Sequence, residues 1–140
     1  MLSSTGDDPL KIAHLCLLVA CLLPIVCAGI AKWGSFSRPR SQGGYDNHDP
    51  RAWLARQQGY RARANAAQAN SFEALPLFIA AVLVAQQTGV APTTVDALAV
   101  AFVALRMAYI GLYVADRAAA RSLVWMAGVG VCVALFVLAA

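Results

Sequence analysis

Acidic residues are scarce in this chain of 140 residues: six are aspartates, and the single glutamate is Glu73. Lysine is scarcer still, at Lys11 and Lys32, and charged residues together make up 13%, against about 25% in an ordinary soluble domain. With 60% hydrophobic residues beside so little charge, a small water-soluble globule is excluded, because a short chain cannot bury that much apolar surface. No CxxC pair is present and no histidine stands at ligand spacing, so no zinc site, other metal centre or disulfide framework is indicated. Cys16, Cys21, Cys27 and Cys132 fall inside apolar runs, where a free thiol acts as a small hydrophobe. Internal repeats and low-complexity tracts are also missing.

What the chain does have is four long apolar runs, over residues 12–31, 64–85, 95–115 and 122–140. Each approaches the roughly 20 residues that an α-helix needs to cross a bilayer core. The expected fold is all-α: an integral membrane four-helix bundle running up and down, with residues 1–140 as one domain in contact with lipid. The first run, "IAHLCLLVACLLPIVCAGIA", must be weighed against a secretory signal, since "CAGIA" has the form of a cleavage site. It is longer than a usual signal core and follows Asp7, Asp8 and only one cation, Lys11. It reads as a retained helix, which Pro24 bends and its neighbours accommodate.

Nine of the eleven Lys and Arg residues lie on one side of these runs. Lys32, Arg38, Arg40, Arg51, Arg56, Arg61 and Arg63 sit between the first and second spans, and Arg117 and Arg121 between the third and fourth. By the positive-inside rule both connections are cytoplasmic and both termini lie outside, as in a multi-pass protein of a bacterial inner membrane. The net charge of +4 is then a consequence of topology, and no nucleic-acid partner is implied. Asp49 followed by Pro50 signals a helix start. From there the second helix is expected to run through to Gln86, with Gly59 as its one weak point and Pro76 as a kink. The third helix is expected from about Thr94, with Asp96 suiting its own dipole. His14 reads as interfacial packing and His48 as a solvated loop residue.

Ionisable groups inside spans are expensive, at about 2.5–3.5 kcal/mol each, and are functional suspects for that reason. Two lie deep here, Glu73 in the second span and Arg106 in the third. Antiparallel neighbours bring them to one depth, so they are expected to pair. Arg63, Asn70 and Glu73 share one helical face, and Arg106, Tyr109 and Tyr113 share another. The two faces would form a polar seam opening on the basic side, with Arg121 and Ser122 at its mouth. A buried bridge that fixes helix register is the plainer reading of a lone Glu–Arg pair; Asn70, the tyrosines and the basic mouth favour a ligand site. Gln68 lies off this stripe and reads as a helix–helix hydrogen bond.

"NSFEALPLF" has the pattern Asn-x-x-Glu-x-x-Pro-x-Phe, followed later by "RMAYIGLY" and "RAAARS". In that order, on four spans, these resemble the MAPEG family, the membrane-associated proteins in eicosanoid and glutathione metabolism. "YDNHDPRAWLARQQGYRARANAAQANSFEA" is similar to its bacterial branch. The resemblance implies a homotrimer with glutathione as co-substrate, bound at subunit interfaces near the cytoplasmic face. By position, Asn70 and Glu73 would hold its peptide part, and Arg106, Tyr109 and Tyr113 would line the pocket. Arg121 and Ser122 would be catalytic, stabilising the thiolate that attacks lipophilic small molecules or lipid hydroperoxides. Three positions depart from the pattern. Ala66 stands where glutathione-using relatives have Arg, a loss that Arg63 would offset in part; Gln68 stands for a common His, and Trp125 for a Tyr. These departures keep open a non-catalytic protein of the same fold. A small proton-coupled multidrug exporter is a further alternative, although those carry their membrane Glu in the first helix.

Overall fold

The computed structural model describes residues 12–140. Within them are five α-helices: α1 (Ile12–Lys32), α2 (Pro50–Ala55), α3 (Tyr60–Gln87), α4 (Pro92–Val114) and α5 (Ala118–Ala139), with a short 3-10 turn at Arg40–Gln42. The polar lead 1–9 and Lys11 lie outside the described residues. Four helices, α1, α3, α4 and α5, are long and apolar enough to cross a membrane, and they coincide with the four runs. The chain is a multi-pass membrane protein with an all-α bundle fold.

The bundle is a rhombus in section. α3 and α4 touch along its short diagonal, and α1 and α5 pack on opposite sides against both. Small residues make this close approach possible: Ala13, Ala20, Ala81, Ala85 and Ala99 are buried at the helix contacts, as expected where packing rather than water expulsion drives association. Between α3 and α4 the rings of Phe78 and Phe102 stack at 3.9 Å and 13°. Outward, Leu15, Leu18, Leu22 and Ile25 leave α1 with a continuous exposed apolar stripe. Lipid tails are as apolar as leucine, so no penalty attaches to it.

Polar contacts at the helix ends hold the frame. Asp96 does not serve its own helix dipole as expected: its Oδ1 accepts from the backbone N–H of Ala13 at 2.8 Å, capping α1 from α4. His14 meets Gln86 at 3.2 Å and ties the same ends of α1 and α3. At the other ends, Arg61 donates to the Trp33 carbonyl at 2.9 Å and Arg63 to the Val114 carbonyl at 3.0 Å. Both satisfy the orphan carbonyls that every helix terminus leaves.

The second span does not begin at Pro50. Asp49 caps α2, its Oδ1 accepting from Ala52 N–H at 3.2 Å, but α2 ends at Ala55. Gly59, at φ 62° and ψ −140°, turns the chain into α3 through a conformation open in practice only to glycine. The loop before α2 packs on that helix: Tyr45 meets Phe36 and the buried Trp53 of α2 edge to face at 5.1 and 5.2 Å. Arg40 pairs with Asp46 at 3.2 Å. The His48 backbone N–H, helped by Arg40, holds the Asp46 carboxyl below the usual carboxylate range. The connection from α4 to α5 is shorter than expected, with α5 starting at Ala118 rather than 122. Asp116 makes the turn at φ 61°, a left-handed conformation that Asp tolerates.

Candidate functional site

Two adjoining cavities open along α3, α4 and α5. One, of about 140 Å³, is lined mainly by apolar side chains, together with Asn70, Glu73 and Arg106. The other, of about 200 Å³, is polar and is lined by Asn70, Tyr109, Tyr113, Arg121, Ser122 and Trp125. Asn70 and Trp125 line both. Seven of the eight residues expected at the site therefore converge on these two cavities. Arg63 does not, because its guanidinium is engaged with the end of α4.

The expected ion pair between Glu73 and Arg106 is not formed. Among the described residues the one ion pair is Arg40–Asp46. Arg106 does reach α3 at the expected depth, but it donates to Ser71 Oγ at 3.3 Å and lies 4.2 Å from the Tyr109 ring. The reason is helical geometry. Ser71 and Glu73 are two residues apart, about 200° around the helix, so a side chain seated on one is turned from the other. Arg106 is only 4% exposed, with the thiols of Cys27 and Cys132 near it. It is a buried cation with no carboxylate beside it, facing a cavity.

Glu73 has the opposite character. It is exposed on α3 and accepts a hydrogen bond from Asn70 Nδ2 at 3.2 Å. That bond fixes the Asn70 amide, since the reverse orientation would set oxygen against carboxylate. The amide oxygen is left buried with no donor. A buried acceptor without a partner costs roughly 1–3 kcal/mol, and a ligand N–H would relieve it. The cavity lining thus includes two acceptors, Glu73 and Asn70, and one strong donor, Arg106.

At the mouth, Arg121 lies 4.1 Å from the Tyr113 ring, and Tyr113 meets Tyr109 edge to face at 5.6 Å. Ser122 donates to the Ala118 carbonyl at 3.1 Å, so it must turn before it can donate to a ligand. Both residues sit in the first turns of α5, whose free N–H groups make that end positive. Gln68 lies elsewhere, in a groove with Arg51, Ala66 and Phe72, and forms no bond to a neighbouring helix among the described residues. One residue of this arrangement was missed in the sequence: Ser71, the actual partner of Arg106, lies within the Asn-x-x-Glu pattern but on the core face. Trp125 was seen only as a departure from a Tyr, although it stands four residues after Arg121 on one helical face.

The sequence model of the MAPEG family matches residues 12–140. No individual curated protein matches the chain, and no solved structure does.

Proposed function

The chain belongs to the MAPEG family, which comprises membrane glutathione-dependent transferases and peroxidases and eicosanoid enzymes, and from that membership we propose a thiol transferase or peroxidase. It would join glutathione, or another small thiol, to lipophilic electrophiles, or reduce lipid hydroperoxides with it. The observation that carries this reading is the unmatched set on the cavity wall. Arg106 lacks an anion, Asn70 Oδ1 lacks a donor, and Glu73 projects a second acceptor. A peptide with free carboxylates, N–H groups and an ammonium supplies all of these. Its sulfur then falls to the polar cavity, where Arg121 and the positive end of α5 lower a thiol pKa from about 8.5. The proton leaves through the cavity mouth, and the thiolate attacks an acceptor arriving from the bilayer.

Two further elements belong to the proposal. The basic loops are placed in the cytoplasm and the termini outside, on the charge asymmetry of the connections. The chain is taken to assemble as a homotrimer, with the cavities at or beside the contacts between copies. Glu73 supports this, because a carboxylate exposed near the middle of the 28-residue α3 cannot face hydrocarbon cheaply.

One observation favours a second reading, the same fold without glutathione use. Arg63 is held by Val114, so it is not free to replace a cation at Ala66. Calorimetry of glutathione with purified protein separates the two. Binding that Glu73→Gln and Arg106→Leu each weaken supports the transferase. For the sulfur, the thiolate absorbance band formed on adding glutathione should vanish in Arg121→Ala. A wild-type protein that shows no heat and no band would exclude glutathione as the thiol and favour the non-catalytic reading.

A further inference from the structure

The thiol chemistry draws on α3, α4 and α5 and gives no role to the loop between α1 and α2. That loop and α2 enclose a separate cavity of about 330 Å³, whose lining includes Arg40, Asp46, Trp53, Arg56 and Gln57. Its frame is tied by hydrogen bonds of its own. Trp53 Nε1 donates to the Gly43 carbonyl at 3.3 Å, and Gln57 Nε2 to the Trp53 carbonyl at 2.9 Å. The Gly44 N–H donates to the Pro39 carbonyl at 3.0 Å, a close approach that a side chain at Gly44 would block against the Arg38 carbonyl. Arg40 and Asp46 neutralise each other at 3.2 Å, while Arg56 has no ion-pair partner among the described residues. One positive charge is left over, which suits a monoanion, and phosphate oxygens accept from a guanidinium two at a time. Arg40 and the His48 N–H both donate to Asp46 Oδ1, so Oδ2 remains for a ligand hydroxyl. Gln57 donates through Nε2, and its Oε1 is a second such acceptor.

The position of the loop indicates where such a ligand comes from. Trp33 directly follows Lys32, the last residue of α1, so it stands where that span leaves the bilayer. Trp33 and Phe36 are 78% and 71% exposed, and large rings left uncovered at this level fit the aromatic belt of a membrane surface. Phe36 meets Tyr45, and Tyr45 meets Trp53, so two ring contacts join the exposed aromatics to the cavity lining. We propose that this cavity holds the headgroup of a monoanionic phospholipid, with the phosphodiester on Arg56 and headgroup hydroxyls on Asp46 and Gln57. Trp33 and Phe36 seat the loop on the surface from which the lipid reaches it. The volume is roughly ten times the share of one water in the liquid, room for a phosphodiester and a short hydroxylated group. The inference needs a membrane-spanning chain and is independent of the thiol-transfer reading.

Native mass spectrometry in a neutral detergent tests this, counting the lipids retained as phosphatidylglycerol or phosphatidylcholine of identical acyl chains is added. One saturable phosphatidylglycerol per chain is expected, bound at least fivefold more tightly than phosphatidylcholine, which has no headgroup hydroxyl and no net charge. Arg56→Gln should weaken that binding about tenfold or more, as loss of a charged hydrogen bond does. Arg38→Gln makes the same change of charge on the same loop, outside the cavity lining, and should stay within twofold of wild type. Glycerophosphoglycerol, the same headgroup without its acyl chains, should not displace the lipid at equal concentration. In reconstituted vesicles, acyl-brominated phosphatidylglycerol should quench Trp33 emission, taken as the difference between wild type and Trp33→Phe. Equal binding of the two lipids, or equal losses in Arg56→Gln and Arg38→Gln, would reduce the effect to diffuse attraction by a basic loop and overturn the proposal. Displacement by glycerophosphoglycerol would overturn it in favour of a soluble phosphate ester, and an unquenched Trp33 would remove the loop from the membrane surface.

Discussion

Arg106 sits where a charge is hardest to keep. It is 4% exposed, its partners are a hydroxyl at 3.3 Å and an aromatic face at 4.2 Å, and no carboxylate neutralises it. A buried charge without a counter-ion costs free energy instead of adding stability. A residue kept for ligand binding should therefore separate stability from affinity when removed. Arg106→Leu is expected to leave thermal unfolding in detergent unchanged or raised. Glutathione affinity should fall about 10- to 150-fold, the equivalent of a charged hydrogen bond worth about 1.5–3 kcal/mol. Calorimetry and thermal unfolding on one preparation measure both. A variant that loses stability and affinity together would mark Arg106 as structural.

At the scale of elements, Gly59 decides where the membrane helix begins. Its φ of 62° with ψ of −140° would cost another residue about 1–3 kcal/mol. Gly59→Ala is expected to loosen α2 and the first turn of α3, seen as faster amide exchange in 50–63, while exchange in α4 and α5 stays unchanged. The same joint shows what could be read in advance. Hydropathy located all four spans within a few residues, because a bilayer imposes its length on any helix that crosses it. Pattern also placed Asp49 and Pro50 at a helix start. It could not show that Gly59 breaks the path, since glycine is tolerated inside helices at about 1 kcal/mol and only its dihedrals reveal the turn. Asp96 was legible as an acid near a helix start, but its service to α1 depends on the packing of two helices. The site was legible to the same degree. Depth followed from rise per residue and brought Arg106 to α3, yet depth alone cannot choose between Ser71 and Glu73, which point to different sides. Trp125 was visible only as a departure at one position, and the cavities that share it exist only once α5 has docked.

For the whole molecule, the distribution of exposed side chains raises the question of what surrounds it. Most exposed apolar residues can face lipid without cost, including Leu18 at 56% and Val137 at 68%. Glu73 cannot, and Phe72 beside it is 54% exposed next to Ala62, Ala66 and Ala69 in a shallow groove. Small residues framing one aromatic side chain suit close approach by another helix, so this side of α3 is where a second copy should dock. Assembly and ligand binding can then be separated by two adjacent substitutions. Phe72→Ala removes packing and should lower both the trimeric fraction and glutathione affinity, because a displaced neighbour uncovers the cavity wall. Glu73→Gln keeps the shape and should lower affinity alone. Native mass measurement in mild detergent reads assembly, and calorimetry on the same samples reads binding. Wild-type protein of single-protomer mass that nevertheless binds glutathione would show that the site is complete within one chain, and that Glu73 is covered by the ligand alone.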